Sequence, residues 1–173
     1  LSEGASGWGG EIMYERLVSQ LYRPVSSAVS SSRSSMDRCR LVFMMGVQRS
    51  GTNALFKSFE RGVDRAFNEA EDSPLFEDFF LRDDSVVRGV LDGCSGVVLV
   101  KPISETKRRT VQEVFSAYEA YDLSMIWIYR DPVNCYASHI ERWTGFRGQP
   151  EAFAASWSQR NQSVLDALAA HGD

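Results

Sequence analysis

A chain of 173 residues with 43% hydrophobic residues is long enough to bury a core and fits one globular domain. Its formal net charge of −4 excludes a general attraction to nucleic acid or to an anionic membrane, so any positive potential must be local. The sequence has no run of about 18 apolar residues, and its three cysteines and two histidines lack the spacing of metal ligands. It therefore predicts neither a membrane span nor a bound metal.

The odd number of cysteines leaves at least one thiol unpaired within the chain, which favours a reducing compartment. We therefore expect a cytoplasmic protein. Because the first residue is Leu1 rather than Met, a signal or anchor upstream of it is also compatible with the sequence.

The first 37 residues differ in pattern from the rest. Apolar residues recur every four positions across residues 11–22, which predicts a helix that Pro24 ends. Residues 26–35 are a serine tract of the kind found in flexible linkers. The sequence thus predicts an N-terminal helix and linker over residues 1–37 and an α/β domain over residues 38–173.

A strand, a polar loop and a helix follow one another at the centre of this domain. The apolar residues 41–45 lead into Gly46, and a helical pattern over residues 54–62 follows the loop. Gly46 and Gly51 let the backbone turn tightly and approach an anion, toward which loop N–H groups and the helix N-terminus point. The loop residues expected to contact a bound phosphate are Gln48, Arg49, Ser50, Gly51, Thr52 and Asn53.

Strand and helix patterns alternate through the rest of the chain. Apolar runs predict strands at residues 66–69, 96–103 and 124–129. Helical patterns cover residues 107–121, the segment that follows the Arg-Asp-Pro turn at 130–132, and residues 150–170. Such alternation is typical of an α/β fold in which helices flank a parallel sheet.

Apolar side chains three and four positions apart mark the helix faces that we expect to be buried. In the helix predicted over residues 107–121 they are Val111, Val114, Phe115 and Tyr118, and Ser104 or Thr106 is the expected cap. In the helix after the Arg-Asp-Pro turn they are Val133, Tyr136, Ala137 and Ile140. In the helix over residues 150–170 they are Phe153, Trp157, Val164, Leu165 and Leu168. Residues 74–81 are interpreted as a short helix or a lid, with a core contribution from Phe76, Phe79 and Phe80.

Cationic side chains lie at the ends of three predicted strands: Arg49 in the loop, Lys101, and Arg130. The carboxyl ends of parallel strands share one edge, so we expect these cations to form a single anion site. Ser138 is eight residues after Arg130 and lies off the apolar stripe of its helix. Arg130 and Ser138 could therefore contact the same phosphate.

The loop and the Arg130–Ser138 segment also resemble motifs of a known protein family. The R-S-G-T at residues 49–52 resembles the 5′-phosphosulfate loop of sulfotransferases that use 3′-phosphoadenosine 5′-phosphosulfate (PAPS), which has Lys or Arg before Ser-Gly-Thr. The segment IWIYRDPVNCYASHIERW is similar to the family segment whose Arg, at a strand end, and Ser, eight residues later, read the donor's 3′-phosphate. The resemblance covers residues 41–170 and is closer to tyrosylprotein, carbohydrate and bacterial members than to cytosolic ones.

The resemblance implies a P-loop-like core, PAPS as donor without a metal, and an acceptor hydroxyl on a small molecule, a sugar or a tyrosine. It assigns the leaving 5′-phosphate to Arg49 and the sulfonate or bridging oxygen to Lys101. Glu69 matches the glutamate base of tyrosylprotein-like members, with His139 as a weaker choice. The implied catalytic residues are Glu69, Arg49 and Lys101, and the implied donor-binding residues are Gln48, Arg49, Ser50, Gly51, Thr52, Asn53, Arg130 and Ser138.

The chain departs from the family pattern at two points. Ala54 stands where cytosolic members have a Trp that stacks on adenine, which leaves Trp143 as one candidate for that contact. The family also continues with a further strand and a C-terminal segment, so we expect a truncated chain, a chain that a second chain completes, or a reduced version of the family fold.

Two other functions are compatible with the sequence. A P-loop kinase or NTPase would have a lysine at Thr52 and a Ser or Thr for Mg²⁺ at Asn53, and the loop has neither. The other alternative is a non-catalytic module that keeps the fold and requires a second chain.

Overall fold

The computed structural model of the protein describes residues 39–69 and 73–171, so the helix and linker predicted over residues 1–37 lie outside the described residues. The strands are β1 (Arg40–Gly46), β2 (Arg65–Asn68), β3 (Phe76–Glu77), β4 (Phe80–Leu81), β5 (Val97–Lys101) and β6 (Asp122–Ile128). The α-helices are α1 (Thr52–Phe59), α2 (Asp84–Asp92), α3 (Val111–Ala117), α4 (Pro132–Arg142) and α5 (Pro150–His171). Short 3₁₀ helices cover Glu60–Gly62 and Ser104–Lys107.

Four of these strands form a parallel sheet in the order β2-β5-β1-β6. β1 pairs with β6 from Arg40 opposite Asp122 to Gly46 opposite Ile128, and it pairs with β5 on its other side. A strand that has neighbours on both sides and helices on both faces must be apolar along its length, which explains the run at residues 41–45. The structure confirms the predicted α/β class with a parallel sheet flanked by helices.

Alternate side chains of β1 enter two different cores, as strand geometry requires. On one face, Met44 packs with Phe56 of α1 and Leu99 of β5. The residues of the opposite core come from β1, β5, α2 and α3, and include Leu41, Phe43, Met45, Val98, Val100, Val87, Leu91, Val114 and Tyr118. Helices thus cover both faces and leave the carboxyl edge of the sheet for the loops.

The segment predicted as a short helix or lid is a β-hairpin, in which Phe76 pairs with Leu81 across β3 and β4. Phe76 is buried as expected, but Phe79 is 56% exposed at the turn, so its assignment to the core is wrong. The hairpin is held by Glu105, a fully buried carboxylate that accepts the Leu81 N–H at 3.0 Å and pairs with Arg108. Glu105 lies 24 residues after Leu81 in the sequence, so a local sequence pattern could not predict this contact.

The helix predicted over residues 107–121 is shorter than expected. Residues Ser104–Lys107 form a 3₁₀ helix instead, and α3 begins only after Thr110. Thr110 accepts the Glu113 N–H while the Glu113 carboxylate accepts the Thr110 N–H, which is a capping box. The expected caps at Ser104 and Thr106 are therefore wrong, although the stripe with Val111, Val114 and Tyr118 is buried.

Two helices face the core differently from the prediction. In α4 the buried residues are Cys135 and His139, whereas Val133 is 72% exposed. The ring of His139 packs against aromatic rings of α5 and of the loop before it, and these contacts decide how the helix is rotated.

The inward face of α5 also differs from the predicted one. Phe153 and Val164 are buried as predicted, but Leu165 and Leu168 are exposed and Ala167 is buried instead. The buried side of this helix is set by its contacts with α3 and α4. No helix in the described ranges 39–69 and 73–171 is long and apolar enough to cross a membrane.

Candidate functional site

The loop between β1 and α1 is held in a tight turn by its own backbone. The Ser50 N–H donates to the Val47 carbonyl oxygen at 3.1 Å, and both Arg49 (φ 72°) and Gly51 (φ 101°) are in the left-handed region. α1 begins directly after Gly51, so its first N–H groups have no carbonyl partner within the helix. This geometry presents backbone donors and the positive end of a helix at the carboxyl end of β1.

Gly46 allows three segments to come together below the loop. A Cβ at this position would lie 2.7 Å from the Ile128 carbonyl oxygen and 2.9 Å from Ser50 Oγ, closer than side chains tolerate. The Ser50 hydroxyl is itself buried and has no hydrogen-bond partner among the described residues. A buried hydroxyl normally finds a partner, so Ser50 fits a loop that takes a polar ligand.

The end of β6 contacts this loop directly. Arg49 Nε donates to Ser138 Oγ at 2.9 Å, and Arg130 Nη1 donates to the Arg49 carbonyl oxygen at 3.0 Å. The predicted loop and the predicted Arg130–Ser138 pair are therefore adjacent, although they are about eighty residues apart in sequence. Each guanidinium has five N–H groups, and these bonds use one from each, which leaves donors for an anion.

Lys101 lies at the end of β5, beside the same loop. Its ammonium Nζ is 2.6 Å from Asn53 Oδ1 and lies over the Phe56 ring at 5.8 Å. The residue is only 5% exposed, and burial lowers the pKa of Lys101 against the opposing attraction of Glu69. The side chain of Asn53 is thus occupied with Lys101.

Glu69 follows the end of β2 and is bound by the turn after β5. Its carboxylate accepts the Ser104 N–H at 2.5 Å and the Ser104 hydroxyl at 3.2 Å. Burial raises the pKa of Glu69, while the Ser104 N–H and the charge of Lys101 oppose that rise. A half-buried carboxylate with a raised pKa beside a cation is a good candidate for a proton acceptor.

The other predicted residues lie on or near the loop. Thr52 is buried as the first residue of α1, and Gln48 is half-buried. Trp143, the candidate for adenine stacking, is 40% exposed, with its ring 5.6 Å from the Arg49 guanidinium carbon and 4.9 Å from His139. A groove of about 330 Å³ opens on the α1 side, lined by Asn53, Ala54, Phe56, Lys57, Glu60 and Asn68.

Two further cations adjoin the site and were not predicted from the sequence. Lys107 ends the 3₁₀ helix after β5, and Arg160 lies on the inward face of α5. The charges of both act on His139, as does that of Arg49. A sequence signal existed for Arg160, since it interrupts the apolar stripe that contains Trp157 and Val164.

The described part of the chain is therefore an α/β protein with cations gathered at the carboxyl edge of a parallel sheet, around a glycine-bounded loop. In residues 39–69 and 73–171, no three His, Cys, Asp or Glu side chains are grouped so that they could hold a metal ion. Comparisons of the chain with protein-family models, with curated proteins and with solved structures found no match. A function therefore has to be inferred from the chemistry of the site.

Proposed function

We propose that the protein is a sulfotransferase that moves a sulfuryl group from PAPS to an acceptor hydroxyl. The observation that supports this most is the contact between Arg49, Ser138 and Arg130, which makes one site of the two sequence motifs. A donor with phosphate groups at both its 3′ and 5′ positions needs two anion contacts close together. The tips of β1 and β6 offer both.

The residues of the loop would bind the 5′-phosphate of this donor. Backbone N–H groups from Gly51 onward point away from α1, Arg49 supplies a guanidinium with free donors, and Thr52 supplies a hydroxyl. Arg130 and Ser138 would bind the 3′-phosphate with a charge-assisted and a neutral hydrogen bond. The closeness of the Gly46 backbone to Ile128 keeps these two halves of the site together.

PAPS supplies a sulfuryl group joined to its 5′-phosphate through a bridging oxygen. In the transfer, the acceptor oxygen bonds to sulfur, the bond from sulfur to the bridging oxygen breaks, and the phosphate keeps that electron pair. Arg49 and Lys101 stabilise the charge that grows on the leaving phosphate. The acceptor proton passes to Glu69, which Ser104 holds in place.

Lys101 suits this role because it is held rigidly. Its bond to Asn53 and its position over Phe56 fix the ammonium at the loop, so little reorganisation is needed when charge develops. Asn53 also distinguishes this loop from a Mg²⁺–nucleotide loop, in which a Ser or Thr hydroxyl at the same position would bind the metal. A kinase or NTPase is therefore the less favoured reading of the same loop.

Calorimetry with two nucleotides tests this proposal. Adenosine 3′,5′-bisphosphate should bind about 10- to 100-fold more tightly than ATP–Mg²⁺, because only the bisphosphate offers a group to Arg130, and such a contact contributes about 1.5–3 kcal/mol. A preference for ATP–Mg²⁺ would favour the kinase alternative and end the sulfotransferase proposal. Transfer of labelled sulfate to phenols, sugars and tyrosine peptides then separates an enzyme from a non-catalytic module.

A further inference from the structure

Arg160 lies on the side of α5 that packs against the domain. Phe153, Trp157, Arg160, Val164 and Ala167 follow one another at steps of four, three, four and three residues, which places them on one face of the helix. Phe153, Val164 and Ala167 are buried, and Trp157 is half-buried. A guanidinium therefore occupies a position at which this face would otherwise bury an apolar side chain.

Within the described part of the chain, Arg160 has no hydrogen-bond or ion-pair partner. Burial lowers the pKa of Arg160, yet a guanidinium stays charged near neutral pH. The neighbouring charge is Lys107, whose pKa is lowered by burial and then by repulsion from Arg160. Arg160 is half-buried without a partner and is repelled by the exposed Lys107, which is unfavourable for folding, and an anionic ligand that contacts both cations would remove that cost.

His139 lies next to the same pair. It is only 7% exposed, its Nδ1 has no partner among the described residues, and its ring packs 5.6 Å from Phe153. Burial lowers the pKa of His139, and the charges of Lys107, Arg160 and Arg49 lower it further. The 3₁₀ helix, α4, α5 and the loop after β1 thus all bring basic groups to one place.

The donor does not account for this excess of positive charge. Under the proposed function, Arg49, Lys101 and Arg130 already meet the charges of the donor. Glu69 attracts Lys107, but its carboxylate is already bound by Ser104. The Val111 N–H donates to Ser163 Oγ at 3.0 Å, which joins the segment that follows Lys107 to α5 three residues beyond Arg160. The charge of Lys107 therefore acts on both Glu69 and Arg160.

We propose that Lys107 and Arg160 form a second anion subsite, which binds a carboxylate, sulfate or phosphate group carried by the acceptor. The role of the acceptor rests on the proposed function, whereas the subsite itself does not. The acceptor would then be an acidic hydroxyl compound rather than a neutral phenol or alcohol. Its anionic group, held by these two cations, would bring its hydroxyl toward Glu69.

A sulfate titration followed by NMR tests this subsite, with His139 as the reporter. The chain has two histidines, and His171, the last residue of α5, is eleven residues or about 16 Å of helix beyond Arg160. With adenosine 3′,5′-bisphosphate present at saturation, added sulfate should move the His139 resonance to a plateau and leave that of His171 in place. Lys107→Gln and Arg160→Gln should each weaken sulfate binding about tenfold, as expected for the loss of one charged contact.

Two control variants accompany these changes. Arg61→Gln removes an exposed cation from the 3₁₀ helix after α1 and should leave sulfate binding unchanged. Arg160→Lys keeps the charge and should retain most of the binding. Lys107 is exposed, so Lys107→Gln should fold even where Arg160→Gln does not.

Three outcomes would overturn the subsite: no sulfate-dependent shift at His139, equal sulfate binding by Lys107→Gln and the unaltered chain, or competition between sulfate and the bisphosphate. Competition would mean that the two cations belong to the donor site. If the bisphosphate itself does not bind, both the sulfotransferase proposal and the role of the subsite in binding the acceptor are wrong. The titration without nucleotide still decides whether Lys107 and Arg160 bind an anion.

Discussion

At the scale of single residues, the surroundings of Glu69 separate it from the other acidic residues of the chain. Glu105 is fully buried but is paired with Arg108 and bound to the hairpin, so it stabilises the fold. Glu69 is half-buried, receives both of its hydrogen bonds from Ser104, and lies within reach of the charge of Lys101. A carboxylate that is held in place beside a cation, without a fixed ion pair, is suited to take up a proton.

Glu69→Gln should leave the affinity for adenosine 3′,5′-bisphosphate unchanged and lower the transfer rate about 10²- to 10⁴-fold, because the amide cannot accept the proton of the acceptor. The exposed Glu141→Gln is the matched control and should keep full activity. Turnover by the Glu69→Gln variant at the unaltered rate would assign the base to another residue.

The pH dependence of the transfer rate of the unaltered chain also tests whether Glu69 is the base. As the proposed base, Glu69 would act in its deprotonated form, and burial raises its pKa, so the rate should rise with pH through an inflection above the ordinary glutamate value. Ser104→Ala removes a hydroxyl that stabilises the charged carboxylate, so the inflection should move to still higher pH. If the inflection of Ser104→Ala lies at the same pH as that of the unaltered chain, Ser104 does not position Glu69.

At the scale of elements, the site depends on how closely the ends of β1 and β6 approach. Gly46 is paired with Ile128 at the end of both strands, and the loop turns back directly above them. The Arg49–Ser138 and Arg130–Arg49 bonds then join the loop to α4 and to the end of β6. A change at the strand ends should therefore affect the stability of the sheet and the shape of the site together.

Gly46→Ala should lower the free energy of unfolding by about 1–3 kcal/mol, because the added methyl group meets the Ile128 carbonyl oxygen, which cannot move without shifting β6. Gly89→Ala is the contrasting control, since it lies within α2 with no atom near its Cβ position. It should raise the free energy of unfolding by about 0.4–1 kcal/mol. Urea denaturation measures both changes, and a Gly46→Ala variant as stable as the unaltered chain would contradict the close approach.

At the scale of the whole molecule, the charge is distributed unevenly. The net charge is −4, yet Arg49 and Arg130 follow β1 and β6, Lys101 ends β5, and Lys107 ends the 3₁₀ helix after β5. The cations that follow or end β1, β5 and β6 lie together because the carboxyl ends of parallel strands share one edge of the sheet. A bound anion would connect the ends of β1, β5 and β6 and should therefore stabilise the folded domain as a unit.

Thermal unfolding should register this effect. At about 100 times its Kd, adenosine 3′,5′-bisphosphate should add about 2.7 kcal/mol to the free energy of unfolding, equivalent to about 5–10 °C in Tm. In Arg130→Ala, binding weakens by about 1.5–3 kcal/mol, so most of this increase should disappear at the same concentration. Arg142→Ala, at the exposed end of α4, is the control and should keep the full increase. An Arg130→Ala variant that is stabilised as much as the control would remove Arg130 from the site.

The sequence by itself determined the strands of the sheet and the loop after β1. The runs at residues 41–45, 96–103 and 124–129 are rich in apolar residues, which favours strands, and they overlap β1, β5 and β6. The glycines on either side of the loop and the cations at the strand ends followed from local chemistry in the same way. Such features depend on a few neighbouring residues, so a pattern can identify them.

Only the tertiary structure decided which side chains meet across the sheet edge. The β3–β4 hairpin depends on Glu105, the rotation of α4 on aromatic rings from α5 and the preceding loop, and the contact between Arg49 and Ser138 on the pairing of β1 with β6. Arg160 lies on the packed face of α5 because this helix contacts α3 and α4. These contacts join residues far apart in sequence, and their free energy depends on burial and geometry that no local window contains.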